Sequence, residues 1–235
     1  LIGIPRVLNM YENYPFWFRF FTELGFRVEL SPLSSKKIYE QGIETISSDT
    51  ACYPAKLVHG HVQWLVDHGY KFNFYPCINY EQIEDKEAGN HYNCPVVATY
   101  PEVIANNMDD VFREHMVRFA HPFLPYDNDA RLAKALTREL ERCHIPQEEI
   151  ENAVRKARAE QRRFKDDVRK QGAYALKYAK DHKKKCIVLS GRPYHVDPEI
   201  NHGIDKMISS FDFVVLTEDS VSDKVHLDRP IRVLD

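Results

Sequence analysis

The chain has 235 residues, a formal net charge of −3, 43% apolar and 29% charged residues. That length allows one large domain or two small ones, and the near-neutral balance gives nucleic acid or an anionic membrane no footing. No run of about 18 apolar residues offers a membrane span, and no basic, apolar and small-residue signal precedes Ile4, so a cytoplasmic protein is expected.

The opening Ile2-Gly3-Ile4-Pro5-Arg6 reads as a short buried strand running into a loop. Tyr14 to Leu24 carries Phe16, Phe18, Phe20 and Phe21 and stops at Gly25, which predicts a helix with a glycine terminator. Phe26 to Ser31 alternates apolar and polar, as a strand does. This β-α-β order predicts parallel pairing with a right-handed crossover. Lys36–Glu40 predicts a short helix. Capping residues at 47–50 and apolar positions at Leu57, Val58, His61, Leu65 and Val66 predict a longer one reaching Gly69, with Cys52 in its first turn. Phe72–Tyr75 predicts a buried parallel strand with Cys77 at its carboxyl end. A polar loop, 81–93, leads to Cys94 and a predicted strand over Val96–Tyr100.

From residue 106 to 182 the composition shifts to long polar helices. Asp127-Asn128-Asp129 caps one, and Pro146 starts another that meets no further proline before Lys180. We expect a helical connector there, between a first α/β lobe at 1–105 and the start of a second at 183–235. In the second lobe, Cys186–Ser190 and Phe213–Thr217 predict strands. Between them Asp197-Pro198 predicts a helix start, with the helix running to about Ser210. The ending Arg232-Val233-Leu234-Asp235 reads as the inside of a strand, so we expect a piece of a longer protein.

Five cysteines without a secretory signal point to a reducing compartment, where clustered thiols mean metal or redox chemistry more often than disulfides. Cys52, Cys77 and Cys94 each fall where a strand meets a loop or helix, and in an open α/β sheet such boundaries gather along the ligand-binding edge. Small buried hydrophobes are one reading of them. A zinc site is a weaker one, because no pair stands two to four residues apart. A disulfide would leave one thiol over. Iron–sulfur clusters take thiolates, usually four, so three would leave one iron open to another ligand. Cys143 and Cys186 read as structural.

Lys56 and His59 lie one and two turns beyond Cys52, on its face of the predicted helix. They would steady a reduced, negatively charged group or an anionic partner, or simply meet solvent; Glu81 beyond Cys77 carries the same two readings. A second candidate loop holds Arg192, Tyr194, His195, Asp197, Glu199, Asn201 and His202 at the carboxyl end of a strand. Its alternative is a proline-fixed turn with a capped helix. No dinucleotide fingerprint, P-loop or nucleophile elbow is present.

Long motifs carry a resemblance. Ile-Gly-Ile-Pro-Arg (2–6), Tyr-Glu-Asn-Tyr-Pro-Phe-Trp (11–17), Cys-Tyr-Pro-Ala-Lys-Leu-Val-His-Gly-His (52–61), Tyr-Pro-Cys (75–77), Asn-Cys-Pro (93–95), Gly-Arg-Pro-Tyr-His-Val-Asp-Pro-Glu-Ile-Asn-His-Gly (191–203) and Leu-Thr-Glu-Asp-Ser (216–220) resemble the activase-related domain family. That family is named for CoA-substrate-specific enzyme activases and is similar to the iron–sulfur subunits of 2-hydroxyacyl-CoA dehydratases and to double-cubane cluster proteins. The resemblance implies two flavodoxin-like, Rossmann-like lobes with parallel sheets, the second incomplete, and a [4Fe–4S] cluster held between them by Cys52, Cys77 and Cys94, an oxygen-labile group. It also implies an ATP-dependent activase, on the same longer chain or a separate one, that delivers a low-potential electron. In the dehydratases that electron serves a radical elimination of water.

Acyl-CoA is then an expected partner, with a homo-oligomer left open. The activity expected is that of a dehydratase-like lyase or an ATP-dependent reductase system. The chain departs from that pattern in extent: it carries no ATPase module, and its second lobe stops after Asp235. The alternative is a non-catalytic domain that docks an activase, its cysteines structural or zinc-binding.

Overall fold

The computed structural model describes residues 1–84 and 89–224. The strand expected at 232–235, and the middle of the polar loop expected at 81–93, lie outside the described residues.

Among the described residues, six strands form two parallel sheets. In the first, β1 (Ile2–Ile4) is flanked by β2 (Val28–Leu30) and β3 (Phe72–Phe74), and β4 (Arg118–Ala120) pairs with β3, giving the order β2-β1-β3-β4. In the second, β5 (Cys186–Leu189) pairs with β6 (Val214–Thr217), Cys186 against Val214 and Leu189 against Thr217. The order of the first sheet is that of a flavodoxin-like lobe, whose direction reverses between β1 and β3, and ligands bind outside the carboxyl ends at that point. Cys77 follows β3 there.

Helix α1 (Met10–Glu23) supplies the aromatic half of the core. Phe16, Trp17, Phe20 and Phe21 are all 0% exposed. Trp17 and Phe21 meet Phe74 of β3 at ring distances of 4.8 and 4.9 Å. Gly25, at φ 82°, ends this segment in the left-handed conformation that glycine adopts without strain. The short α2 (Lys36–Gln41), capped by Ser35, lies against α3 (Tyr53–Asp67). Their approach is so close that a Cβ on Gly60 would run into the Ile38 carbonyl.

Val96–Tyr100, expected as a strand, is instead the start of α4 (Pro95–Asn107). The β-branched pair Val96-Val97 suggested a strand, but Pro95 at the first helical position pre-sets the helical φ. Val97, Pro101 and Ile104 then recur at helical spacing and are buried.

The stretch expected as a helical connector also supplies a strand. After α5 (Asp109–Glu114), β4 joins the first sheet, and α6 (Asp129–Glu139) and α7 (Gln147–Asp181) follow. One stripe of α7, Ile150, Ala153, Val154, Ala157, Arg158 and Gln161, is buried, and the helix packs on α1 and α6. Farther along, Gly172 lets the Ser220 backbone after β6 approach the same helix. The helix expected from Asp197 to Ser210 is divided: α8 (Pro198–Asn201) stops at His202 and Gly203, both left-handed, and α9 (Ile204–Ser210) resumes. Among the described residues no helix is long and apolar enough to cross a membrane.

Candidate functional site

All three candidate cysteines lie at the carboxyl edge of the first sheet. Cys52, expected in a first helical turn, is the N-cap of α3, and Cys94 is the N-cap of α4. Each has its side chain uncommitted by a capping hydrogen bond, with proline in the first turn after it. Cys77 sits just past β3, where it bridges to Phe123; Cys52 is exposed, Cys94 half-buried and Cys77 buried. Burial, reinforced by the Glu102 carboxylate, pushes the Cys77 thiol up to about 12.

Three tyrosines surround this edge. The Tyr75 side chain is 0% exposed, and among the described residues its hydroxyl has no hydrogen-bond partner. Burial raises its pKa well above the phenol range, and the charges of Cys77, Tyr100 and Tyr194 act in the same direction. Tyr100 is pushed up to about 12 by burial and by Cys52. Tyr194 is buried, and burial raises it with help from Cys52 and Cys94. Tyr194 thus feels two of the three thiols although it comes from the second lobe.

Of the residues expected to support the cysteines, Lys56 is half-buried and its Nζ donates to the Asp49 carbonyl at 2.9 Å. His59 points inward. It is 0% exposed, with Nδ1 2.8 Å from Thr45 Oγ1 and Nε2 3.1 Å from the Tyr100 hydroxyl. Burial lowers it to about 4, so it is neutral at physiological pH and helps fix Tyr100 rather than supplying charge. Glu81 is half-buried and accepts from Asn93 Nδ2 at 2.7 Å and Asn13 Nδ2 at 3.0 Å. Burial and the neighbouring Glu12 raise it to about 7.

The second candidate loop folds over the same edge. Asp197 caps α8 and is 0% exposed. Glu199 accepts from the Tyr53 hydroxyl at 2.9 Å, one residue beyond Cys52, and the His202 ring stacks on Tyr53. His195 Nδ1 accepts the Arg192 amide at 3.1 Å, and Asn201 Nδ2 donates to the His195 carbonyl at 3.3 Å. A cleft of about 430 Å³ between the lobes is lined by Asn9, Glu12, Glu81, Arg192, Tyr194 and Asp219, among others.

Residues 1–221 match the family described as CoA enzyme activase uncharacterised domain. The chain belongs to this family. No curated protein and no solved structure matched. The edge carries three cysteines, with the unpartnered Tyr75 phenol near Cys77 among the described residues. Among the described residues, no group of three or more His, Cys, Asp or Glu is arranged to hold a metal ion.

Sequence reasoning missed Tyr11, Ser31, Ser34, His61, Tyr75 and Tyr100 as parts of this edge. Tyr11, His61 and Tyr75 fall inside the resembling motifs, while Ser31, Ser34 and Tyr100 lie in none of them.

Proposed function

We propose that this family member is the iron–sulfur domain of a 2-hydroxyacyl-CoA dehydratase/activase-type system, receiving low-potential electrons from an ATP-dependent activase for a reductive or radical dehydration. The observation that supports the reading is that Cys52 and Cys94, at helix N-termini, and Cys77, just past β3, all lie at the carboxyl edge of one sheet, near a Tyr75 hydroxyl that is unpartnered among the described residues. Family membership supplies the CoA-enzyme context.

In this reading Cys52, Cys77 and Cys94 hold a [4Fe–4S] cluster. When bound, the group supplies one-electron transfer at low potential. Tyr75 offers a hydrogen bond to an acceptor at the edge, Tyr194 keeps water from it, and the neutral His59 fixes Tyr100. Glu81, poised near neutrality in the interlobe cleft, is placed to exchange a proton with a molecule bound there.

Anaerobic reconstitution of wild type and Cys77→Ser tests the proposal. A broad visible absorbance in wild type that the substitution abolishes supports it. Two colourless proteins would move the reading to a domain that docks an activase without metal.

A further inference from the structure

The Pro193–Asn201 segment follows the second sheet in sequence but is moored to the first lobe. Its central residue, Asp197, uses both carboxylate oxygens. Oδ1 accepts the Glu199 amide at 2.9 Å and the Ile200 amide at 3.2 Å, which closes the first turn of α8. Oδ2 accepts from the Ser34 hydroxyl at 2.5 Å and from the Tyr11 phenol. Four donors satisfy a wholly buried carboxylate, and two of them come from the other lobe.

Behind Ser34 the chain of bonds continues inward. Ser34 Oγ is 2.8 Å from His61 Nε2, His61 Nδ1 is 2.7 Å from Ser31 Oγ, and Ser31 Oγ accepts the Arg6 amide at 2.8 Å. Because Ser34 gives its proton to Asp197, its oxygen accepts from His61 Nε2–H. Nδ1 is then free to accept from the Ser31 hydroxyl. A neutral imidazole therefore satisfies every member, and burial keeps His61 neutral by lowering it to about 4. On the other side of the segment, Tyr53 ties Glu199 and His202 to the start of α3 beside Cys52.

We infer that Asp197 is a positioning residue: it moors Pro193–Asn201 across the carboxyl edge of the first sheet, so that Tyr194 stays packed in the core beside Cys94 and limits the approach to it. The inference rests on where the cysteines lie and stands whether or not iron binds them.

The test uses the full chain without metal, comparing wild type, Asp197→Asn and the double variant Tyr11→Phe/Ser34→Ala. The double variant removes the interlobe donors and leaves the α8 cap intact, so it serves if Asp197→Asn does not fold. Iodoacetamide labelling is followed at each cysteine by mass spectrometry, and hydrogen exchange is followed by segment. The expected result is labelling of Cys94 about tenfold faster, the effect of losing one charged hydrogen bond from a local opening equilibrium. The already exposed Cys143 should label as before, and protection should fall only at 193–202. Unchanged labelling at Cys94 would overturn the inference. So would protection lost equally through α1 and α3, which marks general destabilisation.

Discussion

The Gln161 side chain spans the break that Pro15 makes in α1. A proline inside a helix disturbs the preceding turn. Here Gln161 of α7 takes over the local ladder: its Oε1 accepts the Phe16 amide at 3.2 Å and its Nε2 donates to the Glu12 carbonyl at 2.7 Å. One side chain from a helix 145 residues away thus completes the element that carries the aromatic core and, at its start, Tyr11.

Gln161→Ala leaves two backbone groups without partners, and each buried unmade bond costs about 1–3 kcal/mol. We expect a loss of about 2–4 kcal/mol in urea unfolding with little change in m-value. A loss below about 0.5 kcal/mol would mean that α1 closes around Pro15 without α7.

Gly60→Ala reverses the usual sign. In an open helix the change stabilises by about 1 kcal/mol. Here the new Cβ meets the Ile38 carbonyl, so α2 must move off α3. Overpacking of this kind costs about 1–3 kcal/mol, and we expect a net loss of stability by thermal unfolding. The displacement also loosens Thr45, which holds His59, and with it Tyr100 near Cys52. A variant as stable as wild type would contradict this packing.

Stability against pH has two opposed contributions. His59 and His61 are lowered to about 4 from an ordinary 6.5, so the folded chain binds fewer protons than the unfolded one. Their contribution is present above 6.5 and is lost as pH falls toward 4. Glu81 is raised to about 7 from 4.5; its contribution is present below 4.5 and is lost as pH rises through 7. Glu81→Gln should therefore abolish a decline in stability between these two values while leaving the acid-side loss intact. Denaturant midpoints measured across that window check it, and identical profiles for wild type and Glu81→Gln would sink the assignment.

The sheets were legible because β1, β3, β5 and β6 are largely apolar stretches bounded by Gly, Pro or polar turns, and β2 shows a strand's apolar–polar alternation. β4 was not, since Arg118-Phe119-Ala120 is three residues with a charged end and gains its identity from pairing with β3. Local pattern placed the three cysteines at element boundaries, but the β-branched pair after Pro95 disguised α4 as a strand. The face shared by Lys56 and His59 was legible as geometry. Its burial was not, because α2 decides it by packing on Gly60. Asp197 was readable as a helix cap from Asp-Pro alone. Its second role depends on Tyr11 and Ser34, 186 and 163 residues away, and no window of sequence contains that.

The three thiols should also differ in reactivity without any metal. Cys52 is exposed at a helix terminus, Cys94 half-buried at another and Cys77 buried with its thiol pushed up to about 12. Alkylation at pH 8 should proceed in that order, with Cys77 essentially inert in the folded chain. Equal rates at all three would contradict the burial order.

Iron and acid-labile sulfide analysis of anaerobically purified protein, with zinc measured alongside, tests the central proposal most directly. The account predicts about four irons and four sulfides per chain, with a visible absorbance that bleaches on strong reduction. Iron-free protein after anaerobic reconstitution would contradict the assignment of Cys52, Cys77 and Cys94 as cluster ligands.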